Sequence, residues 1–218
     1  MEKDLKNSEL YQAPLGIERE NGYGAYLFFA LLILLALFFR VWWTSNYGGV
    51  VVDGSSMYKT LSNGEKLLMR YVDDVETVER GDVIVVYVGD YEECSGVAGG
   101  YLIKRLIAIE GDKVKCTDGQ ISICYAGTTE YVLLDEPYAY YINKDVYDFK
   151  DYEYVVGEGE IFFLGDNRNN SCDSRYAEFG GSHLDGKLYK ATDIYGVVPD
   201  WAIEHSDTLA KIFFRTTK

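Results

Sequence analysis

Residues 26–39, YLFFALLILLALFF, form an uninterrupted apolar run, and residues 22–25 extend it toward the N-terminus. A helix rises about 1.5 Å per residue and needs about 20 residues to cross the hydrocarbon of a bilayer. Residues 22–43 reach that length if Arg40 snorkels and Trp42 and Trp43 lie at the interface. The competing reading is a cleaved signal sequence. The length of the apolar run, the RVWWTSNYGG that follows and the lack of a small-x-small site directly after it favour a retained anchor. Lys3, Lys6 and Arg19 precede the span and only Arg40 follows closely, so the positive-inside bias puts the N-terminus inside. The expected organisation is a cytoplasmic tail at 1–21, a transmembrane anchor at 22–43 and an extracytoplasmic domain at 44–218.

That domain reads as mainly β. Three Pro, 22 Gly and 20 Tyr among 218 residues suit short strands joined by tight turns. Strands are expected at 49–52, 66–71, 82–88, 101–109, 113–116, 120–125, 131–134, 152–156, 160–164 and 193–198, with surface loops at 89–100 and 143–151. No long helical period occurs outside the anchor. The net charge of −14 argues against a nucleic-acid partner, which needs a basic patch.

Four cysteines, Cys94, Cys116, Cys124 and Cys172, leave three pairings open in an oxidising compartment. A two-residue turn at Asp118-Gly119 sets Ile121, not Cys124, opposite Cys116, so a Cys116–Cys124 bridge requires a wider loop. With no CxxC and two His, no metal site is expected.

Three segments carry chemistry. In YLIKRLIAIEGD, residues 101–112, strand alternation gives Lys104 a face with Leu102 and Leu106, one cation in an apolar row. Burial disfavours the charged amine. To serve as a base near neutrality its pKa must fall well below about 10.4, at a cost of about 3–4 kcal/mol. A snorkelling surface lysine is the plainer reading of that motif alone. In DGSSMYKTL, residues 53–61, Ser56 follows Gly54-Ser55, where glycine lets a backbone approach and leaves N–H groups for an oxyanion. A serine hydroxyl needs a base within hydrogen-bond reach, and a Ser-Lys pair supplies one without histidine. Neither His183 nor His205 lies in a motif. In GDNRNNSCDSRYAEFG, residues 165–180, the polar side chains follow an apolar strand and imply a hydrogen-bonded loop. There Asp173 and Arg175 can pair as a brace, and Ser171 can bond the lysine.

In this order behind one apolar span, these segments resemble the bacterial type I signal peptidases, Ser-Lys membrane proteases of peptidase family S26. GSSMYKTL is similar to the nucleophile box, RGDVIVV to an R-G-D strand, YLIKRLIAIEGD to the lysine box, and GDNRNNSCDSR to the last box almost letter for letter. LLDEPY also resembles a linking segment. The resemblance implies a coiled multi-sheet β domain of signal peptidase/LexA-like type behind a single transmembrane helix. It implies removal of N-terminal signal peptides from exported preproteins at a bacterial cell membrane, with no cofactor. Its partners would be signal peptides and the lipid bilayer, not nucleic acid.

By position, Ser56 would be nucleophile and Lys104 general base, with Ser171, Asp173 and Arg175 as supports. The oxyanion would take the Ser56 N–H. Some members add a hydroxyl two residues earlier, where this chain has Gly54. Lys59 and Glu110 stand where the boxes carry proline. Val52, Met57, Leu61, Leu102 and Ile103 would line shallow pockets for small residues at the first and third positions before the scissile bond. Three other readings remain open at this point: a self-cleaving repressor-type protease on the same β architecture, a catalytically silent relative, and a specialised relative for surface or pilus protein assembly. The span and the lack of a DNA-binding module count against the first; the presence of both Ser56 and Lys104 counts against the second.

Overall fold

A computed structural model describes residues 23–89, 100–141, 151–177 and 189–214. The expected tail at 1–21, most of both expected surface loops, Cys94 and His183 lie outside the described residues. The chain divides into two compact units, residues 1–43 and 44–218. Helix α1, Tyr23–Asn46, has 24 residues. At about 1.5 Å per residue it is about 36 Å long, against a hydrocarbon core of about 30 Å. It is the one helix among the described residues long and apolar enough to cross a membrane.

The second unit is built on two antiparallel sheets. Strands are β1 (Tyr47–Val51), β2 (Lys66–Tyr71), β3 (Val83–Tyr87), β4 (Tyr101–Ile109), β5 (Lys113–Thr117), β6 (Gln120–Cys124), β7 (Val132–Leu133), β8 (Tyr152–Val155), β9 (Glu160–Leu164), β10 (Tyr189–Lys190) and β11 (Ile194–Val198). The seven-stranded sheet runs β1-β2-β11-β3-β4-β9-β10 and the four-stranded sheet β7-β6-β5-β8. The mainly β reading and all ten expected strands are therefore present, within a residue or two at their ends. The pair Tyr189–Lys190 was not foreseen, nor were the short helices α2 (Asp200–Glu204) and α3 (Ser206–Phe213). Two residues are too few to display a period, and these helices add only one or two turns each.

Strands β4 and β9 are nearly continuous apolar runs because both of their faces are buried. Leu102, Leu106, Ile161 and Phe163 enter one core with Ile84, Val86 and Val197. Ile107, Ala108, Phe162 and Leu164 enter the other with Val114, Ile121 and Ile123 of the small sheet. A bulge between Leu106 and Ala108 shifts the alternation and turns Ala108 to the second core. At the β5–β6 hairpin both turn residues have positive φ, 50° at Asp118 and 75° at Gly119. That geometry matches a tight two-residue turn. Ile121 stands opposite Cys116, while Cys124 faces Lys113. Cys116 and Cys124 are both free thiols.

Candidate active site

Lys104 lies on the side of β4 shared with Leu102 and Leu106, with Ile84 of β3 directly across. Its exposure is 2%, so the surface-lysine reading of its motif does not hold. Its Nζ lies 2.8 Å from Ser56 Oγ and donates to the Ile103 carbonyl at 2.9 Å. The two residues are 48 positions apart in sequence and within hydrogen-bond reach in space.

Ser56 is half-buried in the turn between β1 and β2. Gly54 there has φ of 94°, which an L side chain adopts only with strain. Asn167 holds the turn from the opposite side. Its backbone N–H donates to Ser56 O at 2.9 Å and its side-chain Nδ2 to Ser55 O at 3.0 Å. Asn170 Nδ2 donates to Ser55 Oγ at 3.0 Å. With two successive carbonyls fixed, the peptide plane that carries the Ser56 N–H is fixed too.

The segment after β9 is anchored by buried arginine–carboxylate pairs. Asp166 accepts Arg105 Nε at 2.9 Å and Nη2 at 2.7 Å, and Thr60 Oγ1 donates to the same carboxylate at 2.5 Å. One carboxylate thus links the nucleophile turn to the residue next to Lys104. Asp173 accepts Arg175 Nε and Nη2, both at 2.7 Å, and Gly165 N at 3.0 Å. Burial pushes the Asp173 carboxyl up, but the Arg175 charge and the hydrogen bonds from Arg175 and Gly165 outweigh it and hold the group below the usual carboxylate range. Arg168 pairs with Glu136 and donates to Gly165 O at 3.1 Å.

The sequence-expected supports are therefore split. Asp173 and Arg175 form their pair, although the chain turns into a 3-10 helix at Ser174–Ala177 rather than staying extended. Ser171 lines the same cleft as Lys104, and its buried hydroxyl is one of the groups that hold the Asp173 carboxyl down. It packs against Gly165, where an added Cβ would lie 2.1 Å from Ser171 Oγ.

A cleft of about 690 Å³ surrounds Ser56 and Lys104. Val52, Met57, Leu102 and Ile103 line it. Leu61 is not among the lining residues: it is fully buried, its amide donating to Met57 O at 2.8 Å, and it supports the turn from behind. The sequence reading missed Asn167, Asn170, Thr60 and the Arg105–Asp166 pair as site residues. Their only sequence signal was the density of polar residues in GDNRNN, which does not say what each one touches. Among the described residues no three His, Cys, Asp or Glu side chains are grouped to hold a metal ion.

The chain is similar to known proteins. Residues 23–200 match the family described as signal peptidase, peptidase S26. The chain is 30% identical over 152 residues to signal peptidase I U of Bacillus subtilis (strain 168), covering 67% of this chain and 74% of that one. It is 31% identical over 163 residues to signal peptidase I of Bacillus caldolyticus, covering 70% and 79%. A solved signal peptidase I from Enterococcus faecalis V583 aligns with a TM-score of 0.42 at 27% identity, over 58% of this chain and 100% of that one. The chain is thus a serine peptidase, a hydrolase. It belongs to the signal peptidase family, peptidase S26.

Proposed function

We propose that this protein is a membrane-anchored endopeptidase that removes N-terminal signal peptides from exported preproteins, with Ser56 as nucleophile and Lys104 as general base. The observation that carries the reading is the 2.8 Å separation of Lys104 Nζ and Ser56 Oγ at a buried lysine. Burial among apolar neighbours favours the neutral amine. A neutral amine has two N–H groups and one lone pair. It can donate to Ile103 O and still accept the Ser56 proton.

Ser56 Oγ attacks the carbonyl carbon before the scissile bond as its proton passes to Lys104. The oxyanion is received by the Ser56 N–H, whose peptide plane Asn167 orients. Lys104 then returns the proton to the leaving amine, releasing the mature protein. Water, deprotonated by the same lysine, hydrolyses the acyl-enzyme. Ser171 is a supporting group beside the lysine, and Asp173 with Arg175 braces the loop that carries Asn167. Val52, Met57, Leu102 and Ile103 form the shallow walls for small residues at the first and third positions before the bond. Helix α1 anchors the enzyme, with the N-terminus cytoplasmic and the β domain outside, where translocated precursors emerge.

Purified Ser56→Ala and Lys104→Met variants are expected to lose cleavage of a preprotein while keeping the wild-type thermal melt. Turnover in the wild type is expected to rise with pH as Lys104 loses its proton. Retained cleavage by either variant, or a flat profile between about pH 5 and 9, would overturn the dyad.

A further inference from the structure

Beyond the apolar walls next to Ser56, the same cleft continues over a row of tyrosines. Tyr71 of β2, Tyr195 of β11 and Tyr101 of β4 line it together with Met69 and Val85. The rings touch one after another: Tyr71 to Tyr195 at 5.4 Å between centroids, Tyr195 to Tyr101 at 5.1 Å, Tyr101 to Tyr87 of β3 at 5.2 Å. Tyr101 and Tyr195 remain about 40% exposed, at 39% and 41%. Gly49 and Val50 line the cleft at this end, and the neighbouring Gly48 lies so close to the row that an added Cβ would stand 2.8 Å from the Tyr71 ring. The tyrosine end thus has Gly49 and Val50 among its lining and partly exposed aromatic rings beside them.

We infer that this row is a further specificity site, which takes a bulky aliphatic side chain five residues before the scissile bond. The inference rests on the proposed function for its occupant, and on the continuity of one cleft for its place. Residues 101–103 of β4 pair with β3 on one edge, while β9 pairs only from Arg105 onward. Among the described residues no strand pairs with the other edge of 101–103, which leaves it to an extended peptide. Such a peptide advances about 3.3 Å per residue, and alternate side chains share a face. Side chains one, three and five residues before the bond then point at the same floor. The first two fall on the walls near Lys104. The fifth lies about 13 Å upstream of the first, past Ile103 and over Tyr101 and Tyr195. Aromatic faces with Met69 and Val85 beneath them suit an aliphatic side chain rather than a polar or charged one.

The test uses the full chain in detergent micelles and two preprotein-derived peptides. Both carry Ala at the first and third positions before the bond and differ only in Leu or Ser at the fifth. Burying roughly half of a leucine side chain gives about a tenfold preference in kcat/KM for the Leu peptide. In Tyr101→Ala and Tyr195→Ala the ratio is expected to fall toward one, while Tyr101→Phe keeps it. The ratio, not the absolute rate, is the readout, so a general loss of packing does not imitate the effect. A wild-type ratio near one overturns the inference even should an alanine variant fail to fold. So does an alanine variant that slows both peptides equally, or one that changes preference only after the scissile bond. A Ser56→Ala enzyme that still cleaves would instead overturn the dyad, so the two failures are distinguishable.

Discussion

Replacing Asp173 by Asn changes the site's brace without changing its size. The Asp173 carboxylate is 1% exposed and receives Arg175 Nε and N on one oxygen, Arg175 Nη2 and Gly165 N on the other. An amide has one acceptor oxygen, so its NH₂ must face donors. The Arg175 guanidinium, 6% exposed, then has no counter-charge at this carboxylate position. Breaking a buried pair by altering one partner costs about 3–5 kcal/mol. For a domain of this size each kcal/mol moves the Tm by about 2–4 °C, so the melt should fall by about 10 °C. The folded pKa of Asp173 is depressed. Its contribution is therefore complete above the ordinary carboxylate pKa and is lost as pH falls through the lower folded value. The gap between wild type and Asp173→Asn should be full at pH 7 and shrink below about pH 4, where protonation does to the wild type what the amide does to the variant. Circular-dichroism melts of both proteins across that range measure it. A shift under about 2 °C at pH 7, or a gap that widens on acidification, would refute the reasoning.

Asn167→Ala is expected to lower kcat about tenfold or more with little change in KM, because it frees the Ser55 carbonyl and with it the peptide that carries the oxyanion donor; steady-state kinetics on a fixed peptide separate the two constants. Gly165→Ala places a Cβ 2.5 Å from Ser171 Cβ and 2.6 Å from Ser56 O, so the loop must move and cleavage should collapse more than stability, as measured by turnover beside a thermal melt. Leu61→Ala leaves a cavity under the nucleophile turn and should cost about 2–5 kcal/mol in denaturant unfolding.

The strand pattern was readable because each strand's burial is written into its own residues. YLIKRLIAI and EIFFL gave their limits directly, since both faces of β4 and β9 meet a core. The hairpin register followed from Asp118-Gly119, which alone sets what stands opposite Cys116. Leu61 shows the limit of such reading. An apolar residue next to a nucleophile can face the cleft or the core, and only the Met57–Leu61 backbone bond turns it inward. Ser171 shows another: local order did not say whether its hydroxyl serves the lysine or the Asp173 carboxylate, whose pKa it helps lower.

Local residue order determined the apolar helix, the alternation that places Lys104 between Leu102 and Leu106, and the three segments from which the candidate chemistry was read. Those properties depend on backbone periods of 3.6 and 2, which are local. Tertiary structure alone decided that Ser56 and Lys104 meet at 2.8 Å, that Asn167 clamps the serine's turn, and that tyrosines from β2, β11, β3 and β4 form one row. Each of these needs strands distant in sequence to become neighbours in the order β1-β2-β11-β3-β4, and that order is set by the packing of whole sheets.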